Sequence, residues 1–305
     1  MASPMVASRT LHPAPPESYT VFVAGCNFKC LGCQNWTISQ FPDNQMDVDG
    51  HVDPESLAQE TVSMLSSRRA TLMSADRVFF SGGEPTIHLP FIEKVVADAR
   101  KLSPGLKVNF DTNGFMTEKS LERVLCFTTS LTFDIKAFYD DTMRAITGAP
   151  VGPVLRNVEI VAKRAVDKLW EFRIVLIPEV NEDDIRPLCN FLASLSTDLP
   201  VAFLAFRPNF VLDQHLGATR ELIARCLEWA KSANLRNVTY AGVVDIPGTR
   251  GSVAEEMEKV YERRGAKIAA SYALAAGCTT HPRDCVSCPS ASTCLVKKYI
   301  PTRSC

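Results

Sequence analysis

Seven short apolar runs, at residues 19–24, 77–81, 106–110, 131–135, 172–177, 201–206 and 238–243, alternate with helical patterns. The runs are rich in Val, Ile, Leu and Phe, as strands buried on both faces should be. The helical patterns lie at 54–66, 90–102, 118–124, 152–168, 183–195 and 219–233. Asn181 precedes Glu182-Asp183-Asp184, an acidic first turn that suits a helix start. Strand–helix alternation implies a parallel sheet with right-handed crossovers. Six or seven such units are too few for a closed eight-fold barrel. The expected fold class is therefore α/β: a partial (β/α)6-type TIM barrel with a small C-terminal cysteine-rich extension.

The 305 residues, 46% of them hydrophobic, allow one large α/β domain plus an appendage. Residues 1–17, rich in Pro, Ala and Ser, read as a flexible tail. The barrel is expected over 18–250. Past Gly251 come a charged helical pattern, 253–264, and a cysteine-rich end, so 251–305 form the extension. A net charge of -1, from 33 basic and 34 acidic residues, gives no electrostatic case for nucleic acid or an anionic membrane. No apolar stretch has spanning length and no secretory layout opens the chain, so the expected location is cytoplasmic.

Polar residues punctuate the C-terminal ends of the expected strands, which in parallel α/β folds form a common ligand-binding face. The first strand is followed by Cys26-Asn27-Phe28-Lys29-Cys30-Leu31-Gly32-Cys33, the second by Gly82-Gly83-Glu84-Pro85, and the third by Asp111-Thr112-Asn113-Gly114. The fourth brings Asp134 and Lys136. Three clustered thiolates can hold three irons of a cubane and leave the fourth open for chemistry. Structural zinc wants a fourth ligand, and the nearest histidines are His12 and His51. A disulfide plus a spare thiol suits an oxidising compartment better. The glycine pair reads either as a tight turn or as a place where backbone approaches a ligand closely. Asp111 and Asp134 would end neighbouring strands, where their oxygens suit a ribose, an ammonium group or a hard cation; a structural ion pair with Lys136 is the plainer reading.

Five of the eleven cysteines are Cys278, Cys285, Cys288, Cys294 and Cys305. Such clustering without an export signal argues for metal before disulfides. Iron–sulfur and zinc both remain open for Cys278, Cys285, Cys288 and Cys294, with Cys305 the spare. Cys126, Cys189 and Cys226 sit singly in apolar segments and read as small buried hydrophobes.

The spacing C-x3-C-x2-C at Cys26, Cys30 and Cys33, with Gly82-Gly83-Glu84-Pro85, resembles the radical S-adenosylmethionine (SAM) superfamily. Phe110-Asp111-Thr112-Asn113-Gly114, Phe133-Asp134-Ile135-Lys136, Ile146-Thr147-Gly148 and Arg173-Ile174-Val175-Leu176-Ile177-Pro178 extend the likeness to the pyruvate formate-lyase activating enzyme group. Together they cover roughly residues 19–210. The resemblance implies a [4Fe-4S] cluster on the three cysteines, with SAM chelated at the open iron. It places Phe28 near the adenine, and Gly82, Gly83 and Glu84 at the methionine amino group. Asp111, Asp134, Lys136 and Arg173 fall around the cofactor, with a monovalent cation at the Asp-Thr and later Asp positions. No catalytic residue is implied beyond the cluster site. An external electron donor, such as flavodoxin or ferredoxin, would supply the electron that cleaves SAM. The resulting 5′-deoxyadenosyl radical would take a hydrogen atom from an unidentified substrate, a protein, peptide or small molecule.

There are departures from the activating enzymes. Pro13-Ala14-Pro15-Pro16-Glu17-Ser18 stands where they carry a Gly-Pro-Gly-x-Arg type segment. No ferredoxin-like insert follows the cysteine turn. Phe206-Arg207-Pro208-Asn209-Phe210 replaces their His-containing stretch and is more similar to the AmmeMemoRadiSam-associated group. Cys285-x2-Cys288-x5-Cys294 resembles the SPASM and Twitch extensions, which implies a second [4Fe-4S] cluster. Two alternatives to a radical enzyme of unidentified substrate stand beside it: an activase of a glycyl radical enzyme, and a noncatalytic zinc or iron–sulfur scaffold.

Overall fold

The second strand, Ser18–Val23, is buried along nearly its whole length, its polar residues Ser18 and Thr20 included, as a strand covered on both faces is. In the computed structural model, which describes residues 5–12, 16–39 and 50–242, it is one of six strands in the first of two units. That unit comprises, of the described residues, 5–12, 16–27, 35–39, 50–133 and 167–170. Its strands are β1 (Met5–His12), β2 (Ser18–Val23), β3 (Gly50–His51), β4 (Arg77–Gly82), β5 (Lys107–Thr112) and β6 (Ser130–Asp134). Its helices are α1 (Trp36–Ser39), α2 (Pro54–Leu65), α3 (Arg68–Leu72), α4 (Leu89–Leu102) and α5 (Glu118–Phe127). The strand order is β3-β1-β2-β4-β5-β6. From β2 to β6 all pairs are parallel, and Val23 stands opposite Gly82.

Side-chain caps set the helix starts. Asp53 accepts from the Ser56 amide at 2.9 Å, and Thr117 from the Ser120 amide at 3.2 Å. Helix α4 buries Leu89, Ile92, Val96 and Ala99, one stripe at helical spacing. Each large side chain enclosed this way contributes about 1.5–3 kcal/mol. Phe80, Phe110 and Phe133, one on each of three adjacent strands, are fully buried.

The second unit comprises, of the described residues, 28–34, 134–166 and 171–242. Its helices are α6 (Asp140–Thr147), α7 (Gly152–Arg164), α8 (Glu182–Leu195) and α9 (Arg220–Ser232). Its strands are β7 (Leu169–Leu176), β8 (Val201–Ala205) and β9 (Val238–Ala241), parallel in the order β7-β8-β9. Gly148 closes α6 in the left-handed conformation, φ +80°, where glycine carries no Cβ penalty. Among the described residues the strand order does not close on itself, so the fold is the α/β, open-barrel type expected from the repeat count.

Two expectations need correction. Residues 5–12 are not a loose tail: β1 pairs antiparallel with β2, and Arg9 is ion-paired with Glu60 at 2.5 Å. Val6, Ala7 and Leu11 are buried, and β1 occupies the edge of β2 that parallel pairing with β4 leaves open. Cys126 is exposed, whereas Cys189 and Cys226 are buried. The buried stripe of α5 is Leu121, Val124 and Phe127, and Cys126 falls outside it. The cysteines Cys278, Cys285, Cys288, Cys294 and Cys305 lie outside the described residues, as does the rest of 251–305. No helix among the described residues is long and apolar enough to cross a membrane.

Candidate functional site

In the first unit, the chain leaving β2 turns through Ala24 and Gly25 into Cys26, and four contacts hold that turn. The Gly25 amide donates to Ile38 O at 2.8 Å, and Gly25 O accepts from the Glu84 amide at 2.9 Å. The Gly83 amide donates to Val23 O at 2.8 Å. The Ala24 carbonyl lies 2.7 Å from His88 Nε2, and burial holds the His88 imidazole below its usual range. The double glycine permits this approach. A Cβ on Gly83 would lie 1.7 Å from Gly25 O, and one on Gly82, where φ is +116°, 2.4 Å from Val23 O. The expected close approach is thus made first by the cysteine turn's own backbone.

Glu84 is buried, and its carboxylate is engaged within the protein. Oε1 accepts from Thr112 Oγ1 at 2.8 Å, Thr86 Oγ1 at 2.7 Å and the Thr86 amide at 3.2 Å. Oε2 accepts from the Asn113 amide at 2.7 Å. Burial pushes its pKa up to about 7 against these hydrogen bonds. Glu84 therefore clamps the end of β4 to the Asp-Thr-Asn-Gly turn after β5. Asp111 accepts from Ser81 Oγ at 2.7 Å, again joining the ends of β4 and β5. Gly114, at φ +72°, has the Phe133 ring 2.1 Å from where a Cβ would stand.

In the second unit, the loop 28–34 carrying Cys30 and Cys33 is fastened at several points. The Lys29 and Leu31 amides donate to Thr147 O at 2.9 Å and Ile146 O at 3.0 Å. These are carbonyls of the last turn of α6, which helix geometry leaves without intrahelical partners. That gives Ile146-Thr147-Gly148 a physical role: a helix end that accepts the cysteine loop. From the segment after β8, the Val211 amide donates to Leu31 O at 3.0 Å, and Asn209 Nδ2 to Cys33 O at 2.6 Å. A Cβ on Gly32 would come within 2.8 Å of the Phe206 ring. Phe210 is held at φ +57°, a conformation bulky residues rarely adopt and one that clusters at functional sites. Phe28, which the resemblance places near an adenine, is wholly buried.

The charged group of this unit is Asp134 between Lys136 and Arg173. Lys136 Nζ lies 2.8 Å from Asp134 Oδ2, and Arg173 Nε 3.1 Å from Asp134 Oδ1. Burial opposes the Asp134 carboxylate, but the charges of Lys136 and Arg173 outweigh it and hold the carboxyl below its usual range. Desolvation pushes the Cys30 thiol up to about 12, with the Lys136 charge working against it. A thiolate at Cys30 thus calls for a stronger cation than Lys136 alone. Asn181, buried, donates from Nδ2 to Lys136 O at 3.0 Å and Val175 O at 2.8 Å, and accepts from the Ile177 amide at 2.9 Å. The sequence marks Asn181 only as a helix start and Phe206 and Asn209 only as members of one stretch; the contacts that give them their roles lie far off in the chain.

The residues fit the implied cofactors. Cys26, Cys30 and Cys33 are half-buried, and no described cysteine is in a disulfide. Asp134 Oδ1 is buried and paired with Arg173 Nε at 3.1 Å, and a carboxylate oxygen so placed can accept a further donor such as a hydroxyl. Among the described residues no three His, Cys, Asp or Glu side chains gather as ligands of a single ion. A cubane takes each thiolate on a different iron.

The sequence pattern described as the Radical SAM superfamily matches residues 20–192, more than half of the chain. The protein belongs to the radical SAM superfamily. Members of this superfamily are enzymes that use SAM and a [4Fe-4S] cluster, and this chain has relatives of two kinds. The uncharacterized protein MJ0808 of Methanocaldococcus jannaschii is 25% identical over 233 residues, 75% of this chain and 64% of that protein. The chain thus spans less than two thirds of that relative's length. The pyruvate formate-lyase-activating enzyme of Staphylococcus aureus is 29% identical over 192 residues, 59% of this chain and 71% of that enzyme. Among solved structures, a spore photoproduct lyase with AdoMet and a dinucleoside spore photoproduct bound superposes with a TM-score of 0.51 at 13% identity. The superposition covers 78% of this chain and 80% of that one, a likeness of fold.

Proposed function

We propose that this radical SAM enzyme binds a [4Fe-4S] cluster through Cys26, Cys30 and Cys33 and reductively cleaves SAM there. Bound together, cluster and nucleotide supply a 5′-deoxyadenosyl radical that abstracts hydrogen from a substrate. Cys26 is presented by the turn that Gly83 and Glu84 hold, and Cys30 and Cys33 by the loop fastened to Ile146, Thr147 and Asn209. Gly82 and Gly83 offer main-chain atoms to the methionine moiety, and Glu84 keeps that strand end in place. Asp134 accepts from a ribose hydroxyl while Lys136 and Arg173 keep it ionised. Asp111 and Thr112 contribute oxygens for the cofactor or a monovalent cation. Phe28 holds the loop between the cysteines.

The observation that carries this reading is the 2.9 Å bond from the Glu84 amide to Gly25 O, which couples the double-glycine turn to the residue preceding Cys26. The test is product analysis. Protein reconstituted anaerobically with iron and sulfide, then given dithionite and SAM, yields 5′-deoxyadenosine. An intact cluster that yields none overturns the proposal. In the cell the electron would come from a flavodoxin or ferredoxin, and a reducing cytoplasm would keep the thiols available. The C-terminal cysteines would hold a second [4Fe-4S] cluster. Iron doubled relative to a single cluster supports this, and zinc in its place refutes it.

A second reading keeps the chemistry and makes the substrate a glycyl radical enzyme. The relationship to a pyruvate formate-lyase-activating enzyme favours it. A glycyl radical signal in a candidate partner after turnover would establish it, and a silent partner would reject it.

A further inference from the structure

Two asparagines in the first unit form a closed network with the sulfur of Cys26. Asn113 Nδ2 donates to Asn27 Oδ1 at 2.7 Å and lies 3.8 Å from Cys26 Sγ, within reach of a hydrogen bond to sulfur. Its orientation is set by the backbone. Asn113 Oδ1 accepts from the Phe115 amide at 2.9 Å, so the oxygen must point at Phe115 and the amino group at the sulfur. Asn27 is oriented in the same way, because its Nδ2 donates to Phe115 O at 2.8 Å and its Oδ1 must face Asn113. Asn113 itself is buried, and its main-chain amide is bound by Glu84 at 2.7 Å. A donor, aimed and held from three sides, faces the first cysteine of the motif.

We infer that Asn113 is a positioning residue that raises the reduction potential of the cluster by donating an N–H···S hydrogen bond to the Cys26 thiolate. The inference rests on the function proposed above and adds a residue to it. When a one-electron reductant such as dithionite delivers its electron, the added negative charge spreads over the thiolate ligands. A donor on one of them stabilises the reduced form more than the oxidised form. Asn27 acts behind it by holding the Asn113 amino group in line. Because the contact is long for a hydrogen bond, the expected effect on the reduction equilibrium is about tenfold, or about 59 mV for one electron.

The test is a potentiometric titration of the reconstituted full chain without SAM, followed by electron paramagnetic resonance, with iron content measured alongside. Asn113→Leu removes the donor. Asn113→Asp keeps an acceptor for the Phe115 amide and turns an oxygen toward the sulfur. Both are expected to load iron like the parent protein and to be about tenfold harder to reduce. Asn27→Ala, which leaves the Asn113 side chain held by the Phe115 amide alone, is expected to shift the equilibrium less, in the same direction. A merely structural role would change iron loading and leave the potential of the loaded fraction alone. Unmoved potentials in the loaded variants overturn the inference; if neither Asn113 variant loads iron, the Asn27 variant decides by the same criterion. A parent protein that takes up no cluster overturns the proposed function, and this inference with it. A parent cluster with unchanged variants overturns the inference alone.

Discussion

Replacing Gly83 by alanine should unfold the approach to Cys26, and the size of the effect can be worked from the contacts. Gly83 is not among the glycines at positive φ, so alanine pays no conformational penalty there. The cost is steric. The new Cβ would stand 1.7 Å from Gly25 O and 2.6 Å from Gly25 C, both backbone atoms. Relieving that overlap means moving the turn, at about 1–3 kcal/mol for forced overpacking. The movement also breaks the bonds from the Gly83 amide to Val23 O and from the Glu84 amide to Gly25 O, 2.8 and 2.9 Å long. These contribute about 1 kcal/mol each. The total is about 3–5 kcal/mol, so the urea midpoint of the cluster-free protein should fall by about 2 M. Gly105→Ala is the matched control, because nothing lies within 4 Å of its Cβ position. It should leave the midpoint level or raise stability by up to about 1 kcal/mol. Iron loading under anaerobic reconstitution should fail in Gly83→Ala and persist in Gly105→Ala. A Gly83→Ala protein with the parent's midpoint and iron content would refute the reasoning.

Other predictions follow from the same contacts. Glu84 titrates at about 7 in the fold against 4.5 for an ordinary glutamate. The folded state therefore holds the proton longer, and this carboxyl's contribution to stability falls as pH rises through that window, by about 3 kcal/mol in all. Glu84→Gln should flatten that part of the pH profile of urea midpoints, and an unchanged slope would disprove the assignment. Asn209→Ala removes the 2.6 Å bond to Cys33 O and should cost about 1 kcal/mol of stability, read by thermal unfolding. Parent-like stability would show that the bond contributes nothing. Asn181→Leu leaves Lys136 O, Val175 O and the Ile177 amide without this partner and should cost about 3 kcal/mol, with a parent-like melting temperature as the contrary result.

Much of the framework was legible in the sequence because buried parallel strands are written as unbroken apolar runs. The expected run at 201–206 is the strand Val201–Ala205, and that at 77–81 is Arg77–Gly82. Strand β1 was not legible. Its apolar residues are few and its neighbourhood is proline-rich, so composition outweighed a pairing that only β2 could offer. Helix Asp140–Thr147 was missed for a related reason: its short acidic opening reads as a turn until Gly148 closes it. The site shows the same division. Motif residues announce themselves by type and spacing, as Cys26, Gly83 and Glu84 do. Residues that act through their backbone or a single amide, such as Ile146, Asn181 and Asn209, depend on contacts distant in sequence. Glu84 was recognised, but its neighbours decide what its carboxylate does, and four hydrogen bonds commit it to the protein.

The proposed function requires the half-buried trio Cys26, Cys30 and Cys33 to hold one open-cornered cluster that SAM ligates directly. The most direct measurement is the electron paramagnetic resonance spectrum of the dithionite-reduced, reconstituted protein before and after SAM is added. The account predicts a [4Fe-4S] signal whose g-values change on addition of SAM and which is lost in Cys30→Ala. A spectrum indifferent to SAM, or a signal that survives loss of Cys30, would contradict it.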